Sequence, residues 1–539
     1  MFIRVLSKKR IWFIFIIFFI VISLIYYKII MIQIVNAKEY SAMEEAQYSF
    51  RENTASTNYR LLDCNGNDLS DYDTKYYAVI IPSYFKSKEN TDSESILNLT
   101  YALRNYNSSY DISKIDEIKD NKLSFEIDEE TYNKIADIKT VKGFYTYESR
   151  TIKQKSAWNI ETMLLNPRKT SDSSFKDDNS IEIALFNKVK NNKYPQVVFQ
   201  RDISGNIISE SKSSPDKNLD VRLTIDKKIQ DMMSMVLRNE KYKNYSQIGA
   251  VLMESSTGKI LGMVQKEDTK PNVNIGAATE NGFYPGSIFK VIVEEAALKN
   301  GTIDLNDKFT CRGFYEDEHK NHGKLTSSEA MVVSCNDIYA QIGCKTGYKL
   351  IYSMAEKQGI LSKVIGFDSE LAGEFEINEP KENDGTLSIT SMGQGIRITP
   401  VEALSISNTV VNKGTYVKPY LIDAYVDKNN EPIDKKTTSS YTIFSKTIAE
   451  EIKSQMIDVV KNGTAKGTEI KGIETGGKTG TTERGKGSDG WFAGFFNNDG
   501  KYYSLIIFVE NIDKKSESGG STAAPIFKDI VNEAVKILK

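Results

Sequence analysis

Tyr284-Pro285-Gly286-Ser287-Ile288-Phe289-Lys290 runs directly into an apolar stretch, Val291 to Leu298, that stops before Gly301. The pattern predicts a helix opening at the serine, so Ser287 and Lys290 share one face and the amine can reach the hydroxyl. A serine is a poor nucleophile until a neighbour takes its proton. A lysine does so only if desolvation or a second cation holds its pKa well below the ordinary value of about 10.4. The same spacing recurs at Ser83–Lys86, Ser173–Lys176, Ser214–Lys217 and Ser256–Lys259. Those copies lie in polar or turn-like contexts, and none begins an apolar helix.

Downstream, Ser334-Cys335-Asn336 precedes the helical-looking Asp337–Ile342. Serine and asparagine two apart can relay a proton and hold a substrate amide, although a helix cap explains the same residues. Further on stands Lys478-Thr479-Gly480-Thr481, behind Gly476-Gly477 and ahead of two strand-like runs, which suits a sheet edge over a cleft. Glycine there lets a substrate backbone approach, and Lys478 with two threonines can bind a carboxylate. A second copy, Lys345-Thr346-Gly347, directly follows the helix after Asn336, where glycine reads as a C-terminal cap.

Around these motifs the pattern is that of a layered α/β domain. Leu223–Asp226 leads into a helix ending near Leu237, with Thr224 or Asp226 as its cap. Gly249–Val264 reads as two strands joined by Ser255-Ser256-Thr257-Gly258, and Gly490–Phe496 with Tyr502–Val509 as two more. With a strand at Lys478 these make five strands from both ends of residues 221–539, against which the intervening helices and a final helix from Ala523 to Leu538 should pack. Residues 36–220, rich in Lys, Asn, Ser, Asp and Tyr, form a mixed α/β spacer with a tight turn at Asn65-Gly66.

At the amino terminus, residues 11–27 carry no charge, and apolar character continues past Lys28 to Val35. A span of 11–35 crosses a bilayer if Lys28 snorkels to the interface. Arg4, Lys8, Lys9 and Arg10 form a positive flank that holds residues 1–10 in the cytoplasm and places the body outside. The rival reading is a cleavable signal with Val35-Asn36-Ala37 as its cleavage site. Its apolar run exceeds the usual length of about 7–15 residues, so an uncleaved single-pass anchor is expected. The whole chain, 539 residues with 70 Lys+Arg against 72 Asp+Glu, has no basic excess for nucleic acid and too few cysteines, four, for a disulfide scaffold.

Taken in order, the Ser287, Ser334 and Lys478 motifs resemble those of the penicillin-recognising serine acyl-transferases. Leu223–Gln230 with its following hairpin, Gly393-Gln394-Gly395 and Thr399-Pro400 extend the likeness over most of residues 221–539. Anchor and spacer together look like class B penicillin-binding proteins, the peptidoglycan D,D-transpeptidases; no upstream glycosyltransferase segment is apparent. Arg60–Gly66 is similar to the Arg-Gly-x-Ile-x-Asp-Arg-Asn-Gly spacer segment of that family, with Leu61 in place of the glycine and Cys64 in place of the second arginine.

The resemblance implies a serine β-lactamase-like transpeptidase domain with a five-stranded antiparallel sheet, on a pedestal. It implies that Ser287 attacks a D-Ala-D-Ala stem peptide, with Lys290 as base and Ser334 and Asn336 handling the proton and the substrate amide. Lys478, Thr479 and Thr481 then hold the carboxylate, and the N–H groups of Ser287 and Thr481 stabilise the oxyanion. Lys478 also supplies the second cation beside Lys290. Acylation by β-lactams and a SEDS-type glycan polymerase as membrane partner follow from the same likeness. The rivals are a β-lactamase or β-lactam sensor, a D,D-carboxypeptidase and an inactive scaffold. A lactamase needs a base for deacylation, and Glu374, Glu376 and Glu379 form no recognisable pattern for one.

Both histidines of the chain, His319 and His322, lie between Cys311 and Cys335. Thiolate and imidazole suit tetrahedral zinc, so these four are candidate ligands, with Asp317 able to replace one histidine. Some clostridial class B relatives are described as binding zinc beside the Ser-x-Asn motif, so the resemblance extends to such a member. A metal there is structural and is not required for the chemistry. Free thiols, or a disulfide from Cys335 to Cys311 or Cys344, remain the alternatives.

Overall fold

The structure is a computed structural model that describes residues 2–37, 48–87, 90–117, 122–153, 158–169, 171–316, 321–380, 385–484 and 487–538. Two compact units result. One comprises Met1–Asn58, Tyr72–Ile152 and Lys193–Pro215; the other comprises Tyr59–Asp71, Lys153–Asn192 and Asp216–Lys539. A single boundary at residue 220 was expected from the sequence. Instead segments 59–71 and 153–192, assigned there to the spacer, belong to the larger unit.

In the smaller unit, helix α1 (Phe2–Ile30) runs on through Met31–Val35, and Arg10–Val35 is long and apolar enough to cross a membrane. Two three-stranded antiparallel sheets follow. Tyr72–Ile80 lies between Leu123–Ile127 and Phe144–Ile152, and Gln196–Arg201 lies between Ser49–Asn53 and Ile207–Ser213. The mixed α/β character expected of the spacer is present.

In the larger unit, Leu61–Leu62 pairs in parallel with Asp220–Leu223, and the Asp63 carboxylate accepts N–H bonds from Asn65 and Asn67 to close the Asn65-Gly66 turn. Helix α2 (Lys227–Leu237) is capped by Asp226, which accepts from Lys228 N and Ile229 N. Thr224 is no cap; its buried hydroxyl donates to Ile260 O at 2.7 Å. Strands β1 (Gln247–Glu254) and β2 (Lys259–Gln265) form the first hairpin. A 3₁₀ turn at Gly286–Phe289 leads into α3 (Lys290–Lys299). Helices α4 (Ser327–Val333), α5 (Asn336–Thr346), α6 (Pro400–Val411) and α7 (Lys446–Lys461) fill the middle of the unit. Strands β3 (Thr475–Arg484), β4 (Gly487–Asn498) and β5 (Lys501–Ile512) precede the final helix α8 (Ala523–Ile537).

The five strands form one antiparallel sheet in the order β2-β1-β5-β4-β3, so strands from both ends of residues 221–539 meet at its middle and the Lys478 strand lies at an edge. Successive residues of β4 serve opposite faces. Phe492 meets Phe527 of α8, while Trp491 meets Phe283 and Phe508. Covered on both sides, Leu505 to Val509 are completely buried, which explains their unbroken apolar run.

Candidate active site

Ser287 sits on the 3₁₀ turn just before α3, one turn from Lys290, and is half-buried. Gly286 makes that turn possible. Its φ is +55°, and a Cβ there would lie 2.5 Å from Thr482 Cγ2 and 2.7 Å from Thr481 O. The turn is thereby pressed against the edge strand β3. Gly480 completes the contact, since a Cβ on it would lie 2.6 Å from Pro285 O. Its lack of a side chain thus serves strand-to-turn packing.

Lys290 is fully buried, and its Nζ donates to Ser334 O (2.6 Å), Asn336 Oδ1 (2.6 Å) and Ser334 Oγ (3.3 Å). The amine's hydrogen bonds thus go to the second motif rather than to Ser287. Burial pushes its pKa down to about 7, against a smaller opposing pull from Glu316 and Cys335. Ser334 caps α4 in the left-handed conformation (φ +60°), a cost of roughly 1–3 kcal/mol for a residue with a Cβ. That pose aims its hydroxyl between two amines, because Lys478 Nζ donates to the same Oγ at 2.7 Å. Asn336 Nδ2 donates to Tyr315 O at 3.1 Å, which fixes the amide.

Lys478 is also fully buried, and burial followed by the nearby Lys290 charge lowers its pKa well below the ordinary value. The second-cation effect was expected on Lys290, but burial accounts for the lowering there and the effect of charge falls on Lys478 instead. Thr479 Oγ1 shares a 2.6 Å hydrogen bond with Thr464 Oγ1, a partner sequence reasoning missed. Thr481 is exposed; its Oγ1 accepts from Gly519 N at 3.0 Å and keeps its own O–H to donate. The three motifs, distant in sequence, therefore form one site of a buried amine of lowered pKa, a bridging hydroxyl and a second buried amine behind an accessible serine. That arrangement can move a proton from a nucleophile to a leaving group.

The other Lys-Thr-Gly copy is a helix terminus, as read: Gly347 has φ +88° and its N–H bonds to Gly343 O. Glu376 accepts from Tyr284 Oη (2.7 Å) and Arg397 Nε (2.6 Å), and Glu379 pairs with Lys349 (3.1 Å). Glu374 is exposed on a two-residue strand.

Beside the site, ligand atoms of Cys311, Glu316, His322 and Cys335 all lie within 4.8 Å of one another. His319 and Asp317 lie outside the described residues. Glu316 was not anticipated as a donor, although it is an acid inside the same Cys311–Cys335 window. Its Oε1 accepts from Cys335 Sγ (3.1 Å) and from Asp337 N (3.0 Å), and Cys311 Sγ meets His322 Nδ1 at 3.6 Å. Burial, with the Glu316 carboxylate adding to it, pushes the Cys335 thiol up. Two thiols, an imidazole and a carboxylate converging with little exposure match the donor chemistry and number of a closed tetrahedral zinc site. All four cysteines are free; Cys344 Sγ contacts Ser388 Oγ, and burial raises the pKa of Cys64 to about 12.

Comparison with known proteins accords with this geometry. The family described as penicillin binding protein transpeptidase domain matches residues 248–532. Stage V sporulation protein D of Bacillus subtilis is 28% identical over 363 residues, which cover 61% of this chain and 55% of that protein. The chain thus spans about half the length of that relative. The peptidoglycan D,D-transpeptidase PbpA of Mycobacterium tuberculosis is 28% identical over 334 residues, covering 53% of this chain and 67% of the relative. In fold, the chain resembles the ceftriaxone acyl-enzyme complex of penicillin-binding protein A from M. tuberculosis (TM-score 0.52, 24% identity, 60% of this chain and 81% of that one). It also resembles a peptidoglycan synthetase from Bifidobacterium adolescentis (TM-score 0.61, 17% identity, 91% and 96%).

Proposed function

The chain belongs to the penicillin-binding protein transpeptidase family, and from that premise we propose that it is a peptidoglycan D,D-transpeptidase working through a serine acyl-enzyme. Ser287 Oγ attacks the carbonyl of the penultimate D-Ala of a stem peptide as its proton passes to the neutral Lys290 amine. The bond to the terminal D-Ala breaks, and that residue leaves as an amine protonated through Ser334. An amine of a neighbouring stem then attacks the ester carbonyl to form the new amide bond. Its proton passes through Lys290 to Ser287 Oγ as the ester C–O bond breaks, and Ser287 is free again. Asn336 holds the substrate amide, while Lys478, Thr479 and Thr481 hold the terminal carboxylate. The N–H groups of Ser287 and Thr481 face the oxyanion. A β-lactam enters the same first step and stays on Ser287.

The observation that carries this reading is the Lys290 amine, buried, held near pKa 7 and placed one turn from Ser287. Its bonds to the second motif describe the resting site, and catalytic hydrogen bonds commonly tighten only around substrate. The test is mass spectrometry of the full-length protein after exposure to a β-lactam, with a peptide map. Stable added mass on the Ser287 peptide, absent in Ser287→Ala, is the expected result. Rapid loss of the adduct indicates a lactamase, and no adduct an inert scaffold. Product analysis with an added amine acceptor separates transpeptidase from carboxypeptidase.

Arg10–Val35 is proposed as a single-pass anchor with the N-terminus cytoplasmic and the body extracytoplasmic, its support being the positive flank ahead of it. A SEDS-type glycan polymerase is the proposed partner of that helix. We also propose that Cys311, Glu316, His322 and Cys335 hold zinc, as in zinc-binding members of the family. Bound there, the ion contributes a structural clamp, and all the chemistry remains with Ser287, Lys290 and their neighbours. Cys335 lies between Ser334 and Asn336, so fixing its sulfur fixes both.

A further inference from the structure

Two hydrogen bonds join helices α3 and α5. The first contact is Lys290 with Asn336. Glu294 follows Lys290 by four positions on α3, and Tyr339 follows Asn336 by three on α5, so a second pair projects from the same two helix faces. Tyr339 Oη donates to Glu294 Oε2 at 2.8 Å, and Gln455 Nε2 of α7 donates to Glu294 Oε1 at 3.3 Å. The Tyr339 ring lies under the active-site amine, with Lys290 Nζ 5.5 Å from its centroid. Lys290, Glu294 and Tyr339 are all completely buried.

A buried carboxyl is costly, and an apolar side chain of similar size would fill the space without that cost. The proposed acyl-transfer steps make no use of it. Its neighbour Glu295 bonds to Gln358 instead and takes no part in the contact. What Glu294 offers is a pair of acceptors that hold Tyr339 and Gln455 in place. Lysine has a long, flexible stem, and displacing a catalytic group by about 1 Å can cost about 100-fold in rate.

We infer that Glu294 and Tyr339 are positioning residues: Glu294 anchors the Tyr339 hydroxyl, and the ring so anchored is the floor that holds Lys290 Nζ in place for Ser287. The inference rests on the acyl-transfer reading. Its test is stopped-flow acylation of the full-length protein in detergent micelles by a fluorescent penicillin, resolving the dissociation constant Kd from the acylation rate constant k2. Tyr339→Phe keeps the ring and removes the hydroxyl. Glu294→Met keeps the volume and removes both acceptors, and Glu294→Gln keeps one acceptor oxygen.

Expected is a fall in k2 of about 10-fold or more for Tyr339→Phe and Glu294→Met, with Kd within about threefold. Glu294→Gln is expected to restore k2 to within about threefold of the wild type. A merely structural role lowers the fraction of protein that reacts and leaves k2 of that fraction unchanged. That outcome, or a Glu294→Gln protein as slow as Glu294→Met, overturns the inference. If the two deleterious variants fail to fold, Gln455→Leu removes one donor to Glu294, and an unchanged k2 there overturns it equally. A wild-type chain that takes no acyl group removes the acyl-transfer reading and this inference with it. An acylated wild type beside a Tyr339→Phe protein of full k2 removes the inference alone.

Discussion

Lys478 Nζ stands 2.7 Å from Ser334 Oγ, a contact made across 144 positions of sequence. Lys290 Nζ lies 3.3 Å from the same oxygen, so one hydroxyl bridges two buried amines. Two ammonium groups around one oxygen repel each other in a low-dielectric site, and at least one amine is therefore driven toward its neutral form. In the proposed reaction Lys290 is the amine that accepts the Ser287 proton, and Lys478 is the one that meets the carboxylate.

The first prediction concerns pH. A base with its pKa lowered to about 7 is protonated, and useless as a proton acceptor, below that value. Acylation of the full-length protein by penicillin should lose about tenfold in k2 per pH unit below about 7 and level off above it. Lys290→Met should lower k2 by about 10²–10⁴-fold above about pH 7, and by progressively less as pH falls below it. A wild-type profile flat from pH 5 to 9 contradicts the assignment of Lys290 as base.

Lys478 should act on binding more than on chemistry. A hydrogen bond to a charged partner contributes roughly 1.5–3 kcal/mol, so Lys478→Met should weaken Kd for penicillin by about 10–100-fold. The measurement is the saturation curve of the acylation rate. A variant that loses k2 alone places Lys478 with the proton chemistry instead.

Gly480 should be intolerant of even one methyl group. Its added Cβ would meet Pro285 O at 2.6 Å and Ile288 Cγ2 and Trp491 Cβ at 3.1 Å, and the first of these is backbone. Gly480→Ala should destabilise by about 1–3 kcal/mol as strand and turn move apart. The same movement displaces Ser287, so k2 should fall with the melting temperature, and an unaltered midpoint contradicts the packing account.

How much of this was readable depended on range. The five strands of the large sheet appear in the sequence because each is a run of apolar or small residues next to a turn signal, as at Asn498-Asp499-Gly500. The three motifs were legible because spacing and context limit their chemistry. The partition of the spacer was not, since Leu61–Leu62 joins Asp220–Leu223 by a parallel pairing that leaves no local pattern. Glu316 was missed because an acid in a polar loop is ordinarily solvated, and only the fold shows its oxygen turned toward Cys335 Sγ. The hydroxyls of Thr479 and Thr481 read as free ligands in sequence, whereas Thr464 and Gly519 come to them from distant loops.

The metal reading makes a prediction independent of catalysis. Undepleted full-length protein should hold about one zinc, and less than about 0.2 equivalents contradicts the site. Cys311→Ser and Glu316→Ala should each lower the zinc content. A strong chelator should lower the melting temperature of the wild type and leave that of Cys311→Ser nearly unchanged.

Burial of Glu294 makes stability itself depend on pH. Burial raises its folded-state pKa from the ordinary 4.5 to about 7, against smaller opposing hydrogen bonds from Tyr339 and Gln455. Between those values the folded chain holds a proton that the unfolded chain has lost, so this group's contribution falls as pH rises and is fully lost above about 7. At about 1.4 kcal/mol per pH unit the loss amounts to roughly 3 kcal/mol. Glutamine does not titrate. The stability of Glu294→Gln relative to wild type should therefore rise by about that amount from pH 4.5 to pH 8, with Lys290, Lys478 and Glu295 titrating alike in both proteins. Melting temperatures of the two proteins across that range test it, and parallel curves mean that Glu294 is already ionised in the folded site.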